Sequence, residues 1–222
     1  MSKLLKSIYK RLPFRSTLQR WENERKSNRE ITEWENAGKP FPPPHTVKQR
    51  TILGLAKKYS IRTLVETGTY LGDMVEAMKG SFDRVYSIEL SAELHQKATE
   101  RFAGSKNVEI IQGDSGIELE KLMTRLNQPT LFWLDGHYSA GITAKGEQET
   151  PIYSELTHIF NSKQKGHVIL VDDARCFGAD PAYPTLDSLS KFVRSNVPNV
   201  MIELKHDSIH IVPQDLNRMS AA

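Results

Sequence analysis

Short apolar runs alternate with segments of helical spacing from residue 61 toward the end of the chain. Four of these runs end in acidic residues. Residues 63–65 are followed by Glu66, residues 85–88 by Glu89, residues 131–134 by Asp135, and residues 168–171 by Asp172 and Asp173. Short apolar runs separated by amphipathic helical segments are typical of buried parallel strands in an α/β sheet.

The segments around these runs carry helix signals. A helix is predicted over about 46–59, before the first run. The later helix starts and stops are predicted at Ser91 as an N-cap, at Thr150 as an N-cap with Pro151 at the first helical position, and from about Thr185 to a stop near Asn196.

A further strand, the third in chain order, is predicted over 107–112. The C-terminal region has a different pattern. Two apolar segments, 200–205 and 208–212, flank His206 and Asp207, which predicts a tight hairpin turn. Five strand–helix units and this hairpin predict a Rossmann-like α/β fold. Its sheet has seven strands, is mostly parallel with an antiparallel last strand, and carries helices on both faces.

Charge and proline content divide the chain into three parts. Residues 1–45 are predicted to form a basic helical extension that ends in a proline-rich joint, residues 46–213 a globular domain, and residues 214–222 a tail. Residues 1–30 carry nine basic and three acidic residues, so the rest of the chain has a net charge of −3 within the total of +3. The globular part therefore lacks the basic stripe of a nucleic-acid-binding protein, and no nucleic-acid partner is predicted. The basic helix is interpreted either as a solvated surface helix or as a contact with an anionic membrane or acidic partner.

Cysteine use and hydropathy bear on the compartment. The single cysteine, Cys176, excludes an intramolecular disulfide and fits a reducing compartment. No apolar run approaches the roughly 18 residues of a membrane-spanning helix, and the start of the sequence lacks the apolar core of a signal peptide. These features predict a cytoplasmic protein.

The loop after the first run indicates which ligand binds there. It reads ETGTYLG from Glu66 to Gly72 and lacks the G-x-G-x-x-G pattern by which a backbone approaches a pyrophosphate. Glu66 would repel a diphosphate, whereas it suits a ligand that carries a sulfonium and an ammonium group. Glu89, 21 residues after Gly68, offers two acceptor oxygens to a ribose diol. The pattern therefore favours S-adenosylmethionine over NAD.

With these motifs the chain resembles the class I S-adenosylmethionine-dependent methyltransferases over roughly residues 47–213, and within them the metal-dependent O-methyltransferases of the catechol and macrolide-sugar types. The resemblance implies that the E-x-G-x-x-x-G loop holds the methionine part of the cofactor, the acid closing the second strand the ribose, and the turn after the third strand the adenine. The matching residues are Glu66, Gly68, Tyr70 and Gly72 for the methionine part, Glu89 for the ribose, and Gly113, Asp114 and Ser115 for the adenine. The alternative for the glycines is that they only shape a tight turn.

The three acids that follow the runs 131–134 and 168–171 are predicted to hold a divalent metal. In the similar enzymes the ion is held by one acid after strand four and two acid or amide oxygens after strand five, which match Asp135, Asp172 and Asp173. An all-oxygen set fits a hard ion, with Mg²⁺ ahead of Mn²⁺ and Ca²⁺. Such an ion would hold both oxygens of a vicinal diol and lower the pKa of one hydroxyl. The alternative is that Asp172 and Asp173 are solvated loop acids.

The candidate general base lies in the loop after the run 131–134. His137, two residues beyond Asp135, is predicted as the base because the usual pKa of histidine, near 6.5, suits proton abstraction at neutral pH. The similar catechol enzymes use a lysine and the sugar enzymes an aspartate, so the chain departs from both. Lys145 is the second candidate, and a purely structural loop histidine is the alternative. Residues 139–150 are predicted to form a lid over the acceptor, and Arg175 to contact the substrate.

The sequence thus predicts an S-adenosylmethionine-dependent O-methyltransferase, assisted by a divalent metal, that acts on a hydroxyl of a small-molecule or glycan-like acceptor. Two alternatives stay open: a metal-dependent oxygenase on the same scaffold, and a non-catalytic protein that docks through its basic N terminus. Iron in such oxygenases prefers histidines with one carboxylate, which an aspartate-rich set does not supply. The sequence specifies neither the acceptor nor whether the N-terminal helix joins subunits of an oligomer.

Overall fold

A computed structural model of the protein describes residues 13–135 and 151–215. Contacts divide the chain into two compact units, one up to Lys48 and one from Gln49 onward. The first unit contains helix α1 (Pro13–Asn36) and the start of helix α2 (His45–Lys58). Between them, the indole N–H of Trp34 donates a hydrogen bond to the carbonyl of Pro40 at 2.8 Å, which ties the end of α1 to the proline-rich joint.

The second unit alternates strands and helices, as the apolar runs predict. In chain order its elements after α2 are β1 (Thr63–Thr67), α3 (Asp73–Met78), β2 (Arg84–Glu89), α4 (Ala92–Phe102), β3 (Val108–Gln112), α5 (Ser115–Met123), β4 (Thr130–Leu134), α6 (Ile152–Phe160), β5 (Val168–Val171), a short 3₁₀ helix (Ala174–Cys176), α7 (Leu186–Asn196), β6 (Val200–Lys205) and β7 (Ser208–Pro213).

The seven strands found in the described residues form one sheet in the order β3-β2-β1-β4-β5-β7-β6. β1 pairs in parallel with β2 on one side and β4 on the other, so that Glu66 lies between Ser87 and Trp133. β7 is antiparallel to both β5 and β6. The predicted mostly parallel sheet with a reversed last strand is confirmed. The chain changes direction across the sheet between β1 and β4, where α/β folds bind their ligands.

The core consists of two apolar clusters, because side chains of successive strand residues point to opposite faces of the sheet. Val65 of β1 and Phe132 of β4 belong to a cluster with residues of α5, α6 and α7. Leu64 and Trp133, their neighbours in the chain, belong to a second cluster with residues of α2, α3 and α4. Both faces of the sheet are therefore covered by helices, and the polar residues at the strand ends emerge between the two layers.

The predicted helix starts are confirmed at two positions and wrong by one residue at a third. The hydroxyls of Ser91 and Thr185 accept backbone N–H bonds at the starts of α4 and α7. Pro151, however, has a ψ of 7° and is the N-cap of α6, which begins at Ile152. Its carbonyl accepts the N–H of Glu155 at 3.0 Å, so the proline precedes the first helical residue. Thr150 lies outside the described residues.

The hairpin at the end of the sheet turns at His206 and Asp207, as predicted. Both residues have a positive φ, 52° and 60° respectively. Two successive residues in this conformation match the right-handed twist of the flanking strands. Among the helices that the structure describes, none has the length and apolarity needed to cross a membrane.

Candidate functional site

The acidic residues singled out in the sequence meet at one edge of the sheet. Glu66 lies near the end of β1, Glu89 ends β2, and Asp135 follows β4, while Asp172 and Asp173 follow β5. The backbone N–H of Asp135 donates to the carbonyl of Thr67 at 3.1 Å, and that of Asp172 to the carbonyl of Leu134 at 3.0 Å, so the strand ends remain in register beyond the last paired residues.

The glycine loop between β1 and α3 turns sharply toward the site. Gly68, Tyr70 and Gly72 all have a positive φ, of 85°, 49° and 79°. The N–H of Gly68 donates to the carbonyl of Ile88 at 2.9 Å, which fixes the start of the loop against β2. A Cβ on Gly72 would lie 2.7 Å from a ring carbon of Phe102, so a glycine is required both by the backbone and by the space. The Tyr70 side chain is 48% exposed, which leaves it available to a ligand.

Glu66 is a buried carboxyl group, 2% exposed. It accepts a hydrogen bond from the hydroxyl of Ser87 on β2, and Ser87 in turn lies 2.6 Å from the hydroxyl of Thr69. Burial raises the pKa of Glu66 to about 8, the hydrogen bond from Ser87 opposes this rise, and the charges of Asp135 and Glu89 add to it. At neutral pH the group is therefore mostly protonated until a positive charge binds beside it.

Glu89 is held by backbone donors on both sides. Its Oε2 accepts the N–H of Tyr70 at 2.8 Å, and its Oε1 accepts the N–H of Ser91 at 2.9 Å. These bonds fix the plane of the carboxylate and link the glycine loop to the start of α4. Each carboxylate oxygen can accept a further hydrogen bond, which suits the two hydroxyls of a ribose.

The turn after β3 contributes the third part of the candidate cofactor site. The N–H of Gly113 donates to the carbonyl of Glu89 at 2.9 Å, so this turn is tied to the end of β2. Asp114 is the N-cap of α5, and its carboxylate accepts the N–H of Gly116 at 2.8 Å. Ser115, the first residue of α5, is buried. The turn that carries Asp114 and Ser115 is thus joined to the end of β2 by its backbone.

Three carboxylates converge at the ends of β4 and β5. One oxygen from each of Asp135, Asp172 and Asp173 lies within 4.8 Å of the others. Asp172 and Asp173 are buried, and Asp173 has a φ of 55°, a left-handed conformation that turns the chain just after β5. Oxygen donors at this separation fit a Mg²⁺ or Mn²⁺ ion.

Arg175 and Asp207 adjoin these carboxylates and were not assigned to the metal site from the sequence. The Arg175 Nη1 donates to Asp173 Oδ1 at 2.8 Å and also to Asp207 Oδ2, and the backbone N–H of Arg175 donates to Asp207 Oδ1 at 2.9 Å. Burial works to lower the pKa of Arg175, but the charges and hydrogen bonds of Asp173 and Asp207 outweigh it, so the pKa is raised. Arg175 is therefore a permanent cation beside the acidic cluster.

Glu155 is a further site residue that sequence reasoning missed. It lies in the first turn of α6 and is 2% exposed, and its Oε1 makes no hydrogen bond within the described part of the chain. Burial raises the pKa of Glu155 to about 7, the nearby hydroxyls of Ser115 and Thr67 oppose this, and the charges of Asp114 and Asp135 add to it. The only sequence signal is an acid next to the apolar stripe of a helix that follows a candidate site loop.

His137, Lys145 and the lid over 139–150 lie outside the described residues. Their roles therefore stay predictions from the sequence.

The comparisons with known proteins agree with the fold. No protein-family model matches the sequence, and no curated protein matches it either. Among solved structures, an O-methyltransferase from Bacillus cereus in complex with SAH is similar with a TM-score of 0.56 and 14% identity, over 84% of this chain and 90% of that one. The O-methyltransferase TomG from Streptomyces achromogenes, in complex with SAM, is similar with a TM-score of 0.53 and 18% identity, over 84% and 88%. The SAH-bound methyltransferase PaMTH1 from Podospora anserina is similar with a TM-score of 0.54 and 16% identity, over 91% and 97%.

At these identities the similarity establishes the fold. The chain has the Rossmann-like fold of class I methyltransferases, and the resemblance predicted from its motifs is confirmed at that level.

Proposed function

We propose that the protein is an S-adenosylmethionine-dependent O-methyltransferase. The observation that carries this proposal is the placement of Glu66 and Glu89 at the ends of adjacent strands, on either side of the glycine loop whose Tyr70 N–H binds Glu89. A carboxyl group of raised pKa beside the loop suits the ammonium and sulfonium charges of the cofactor, and a fixed carboxylate suits its ribose diol. The SAM- and SAH-bound neighbours of the same fold support this assignment.

Within this proposal, each cofactor part has a site in the domain formed by residues 46–213. Glu66 balances the ammonium group of the methionine part, while Gly68, Tyr70 and Gly72 let the loop backbone approach it closely. Glu89 binds the ribose hydroxyls. Asp114 and Ser115 border the adenine at the start of α5.

We further propose that Asp135, Asp172 and Asp173 hold a divalent metal, with Mg²⁺ the first candidate. When bound, such an ion lowers the pKa of an acceptor hydroxyl and orients it. Through such an ion, Asp135, Asp172 and Asp173 would orient the acceptor hydroxyl for methyl transfer. During transfer, the methyl carbon–sulfur bond breaks, its electron pair stays on sulfur, and a bond to the acceptor oxygen forms. The hydroxyl proton passes to His137, with Lys145 as the alternative base.

The acceptor is proposed to be a small molecule or a saccharide with a free hydroxyl. The neighbour TomG is described as involved in tomaymycin synthesis, which supports a small-molecule acceptor. The basic N-terminal helix is proposed as a solvated extension. Its other interpretations, contact with an anionic membrane or with a second subunit, are tested by vesicle binding and by the oligomeric state.

The first experiment is a calorimetric titration of S-adenosylmethionine into the full chain in buffer with Mg²⁺. We expect one saturable site, with competition by S-adenosylhomocysteine. Absence of binding by both compounds would overturn the methyltransferase proposal and favour the oxygenase or the docking protein. Iron analysis and an absorption spectrum would then distinguish these two.

The metal and base proposals are tested separately. Asp173→Ala is expected to abolish metal-dependent methyl transfer while the affinity for S-adenosylhomocysteine is retained, and Asp187→Ala, which changes an exposed aspartate of α7, is the matched control. Unchanged turnover in Asp173→Ala would contradict the metal proposal.

His137→Ala is expected to lower the rate of transfer with little effect on cofactor affinity, and full activity would exclude His137 as the base.

A further inference from the structure

A buried aspartate of the β6–β7 turn reaches the candidate metal ligands through an arginine. Asp207 lies at the turn, and its side chain is 1% exposed. Its two carboxylate oxygens accept the backbone N–H and the Nη1 of Arg175, and its carbonyl accepts the N–H of Ala174 at 2.8 Å. The same Nη1 donates to Asp173 Oδ1 at 2.8 Å. One guanidinium nitrogen is therefore shared between a candidate metal ligand and a carboxylate further from the site.

The turn that carries Asp207 is fixed in position. His206 and Asp207 both adopt a left-handed conformation between the paired residues Lys205 and Ser208. The His206 ring also lies 3.2 Å from the hydroxyl of Thr51, so helix α2 contacts the turn. The backbone that carries Asp207 is thus held by the β6–β7 pairing and by α2, while its carboxylate is bonded to Arg175 in the segment after β5.

The charges of Arg175 and Asp207 have opposite effects on the candidate metal ligand Asp173. An arginine that pairs with a metal ligand competes with the metal, because a cation beside a carboxylate stabilises its charge and weakens its attraction for a second cation. A buried aspartate without a counter-ion is costly, so Asp207 requires the Arg175 charge for itself. The Asp207 carboxylate therefore offsets the guanidinium charge that would otherwise act on Asp173 alone.

We propose that Asp207 is a positioning residue of the metal site that acts through Arg175: by neutralising and orienting this arginine, it leaves the charge of Asp173 available to a divalent cation. The inference rests on the proposed metal site. It assigns Arg175, predicted from the sequence as a substrate contact, to the group that regulates the charge of the metal ligands.

The test is a mutant cycle on the full chain with Mn²⁺ as the probe. Electron paramagnetic resonance measures the Mn²⁺ affinity of each variant. Asp207→Asn keeps the shape of the side chain but removes its charge, so Arg175 is left with Asp173 as its charged partner. We expect Mn²⁺ affinity to fall by about tenfold or more, the loss typical of outer-shell changes. In Asp207→Asn/Arg175→Gln the competing cation is gone as well, and we expect Mn²⁺ affinity to return close to the wild-type value.

A purely structural role for Asp207 predicts a different result. In that case Asp207→Asn lowers the unfolding temperature, leaves Mn²⁺ affinity unchanged, and the double variant is no better than the single one. Either unchanged Mn²⁺ binding in Asp207→Asn or a tenfold loss that persists in the double variant would overturn the proposal. If Asp207→Asn does not fold, Asp207→Ser takes its place: the same loss of Mn²⁺ affinity is expected, and unchanged affinity would overturn the proposal.

Two controls separate this inference from the proposed function. Asp187→Asn removes the charge of an exposed aspartate paired with Lys191 at 2.7 Å, and is expected to leave Mn²⁺ affinity unchanged. S-adenosylhomocysteine binding is measured in every variant and is expected to stay at the wild-type value. Failure of the wild-type protein to bind Mn²⁺ would refute the metal site itself, whereas equal Mn²⁺ binding by wild type and Asp207→Asn refutes only the role of Asp207.

Discussion

The hydroxyl of Ser87 donates a hydrogen bond to the carboxyl group of Glu66, directly across the β1–β2 pair. The two residues are register partners, so the bond joins the ends of two neighbouring strands at the point where the glycine loop begins. Ser87 opposes the rise in the pKa of Glu66 that burial causes. The strand register thus controls how readily this carboxyl group ionises when a cation arrives.

Binding of S-adenosylmethionine at pH 7 is expected to release a proton. The pKa of Glu66 is raised to about 8, so the group is mostly protonated in the free protein, and the positive charges of the cofactor favour its ionised form. Titrations in phosphate and in Tris, which differ in heat of ionisation, give the number of protons released. Glu66→Gln is expected to bind without this release, and identical heats for the wild-type protein in both buffers would contradict the prediction.

Ser87→Ala is expected to weaken S-adenosylmethionine binding by about tenfold or more, since a hydrogen bond to a charged group is worth about 1.5–3 kcal/mol. Without the Ser87 hydroxyl, the pKa of Glu66 rises further and ionisation costs more. Ser81→Ala, which changes an exposed serine, is the control and should bind as the wild type does. Equal affinities for the two variants, measured by calorimetry, would show that the Ser87 hydroxyl has no role in binding.

Glu89→Gln is expected to weaken the binding of 5′-methylthioadenosine by about tenfold or more. This compound retains the ribose and adenine but lacks the ammonium group. A glutamine amide offers one acceptor oxygen, so either Tyr70 N–H or Ser91 N–H loses its acceptor, as does a ribose hydroxyl. Glu66→Gln should leave the affinity for this compound unchanged, because the compound lacks the ammonium group that Glu66 is proposed to bind. Glu93→Gln, an exposed change nearby, is the control, and a ribose role for Glu89 is excluded if both Glu89→Gln and Glu93→Gln bind normally.

The parts of the site that follow from strand ends could be predicted from the sequence. Glu66, Glu89 and Asp135 each close an apolar run, and parallel strands bring their carboxyl ends to one edge, so their convergence needed no tertiary information. The turn at His206 and Asp207 was likewise marked by the two segments that flank it.

Contacts that depend on packing between distant elements could not be predicted. The Ser87–Glu66 bond requires the β1–β2 register, and the Asp207–Arg175 contact requires the last hairpin to lie against the segment after β5. Glu155 looked like an ordinary acid in the first turn of a helix, where acids are favoured by the helix dipole. Pattern alone does not distinguish such an acid from one that is buried beneath the site.

Gly72→Ala is expected to destabilise the fold. A residue with a side chain costs about 1–2 kcal/mol at the left-handed φ of 79°, and the new Cβ would also lie 2.7 Å from the ring of buried Phe102. Gly80→Ala is the matched control, because nothing lies within 4 Å of its new Cβ. Urea unfolding measures both, and an equal free energy of unfolding for the two variants would contradict the assigned need for glycine at position 72.

The stability of the metal-free protein is expected to fall as pH rises from 6.5 to 8. Burial raises the pKa of Glu66 to about 8 and that of Glu155 to about 7, so in this range the folded state binds more protons than the unfolded state. The free energy of unfolding then decreases with pH, by up to about 1.4 kcal/mol per pH unit for each such proton. Below pH 6.5 the buried His167 and His210, whose pKa values burial lowers to about 4, act in the opposite direction, because there the unfolded state binds their protons.

Urea unfolding in EDTA at pH 6.5 and pH 8 measures this slope, and Glu155→Gln isolates one contribution. The variant removes the titrating group at nearly constant shape, so its free energy of unfolding should fall less between the two pH values than that of the wild type. Glu93→Gln, at an exposed position, should show the wild-type slope. A Glu155→Gln slope equal to that of the wild type would contradict the raised pKa of Glu155, and a wild-type stability that rises from pH 6.5 to 8 would contradict the net proton uptake expected of the folded state.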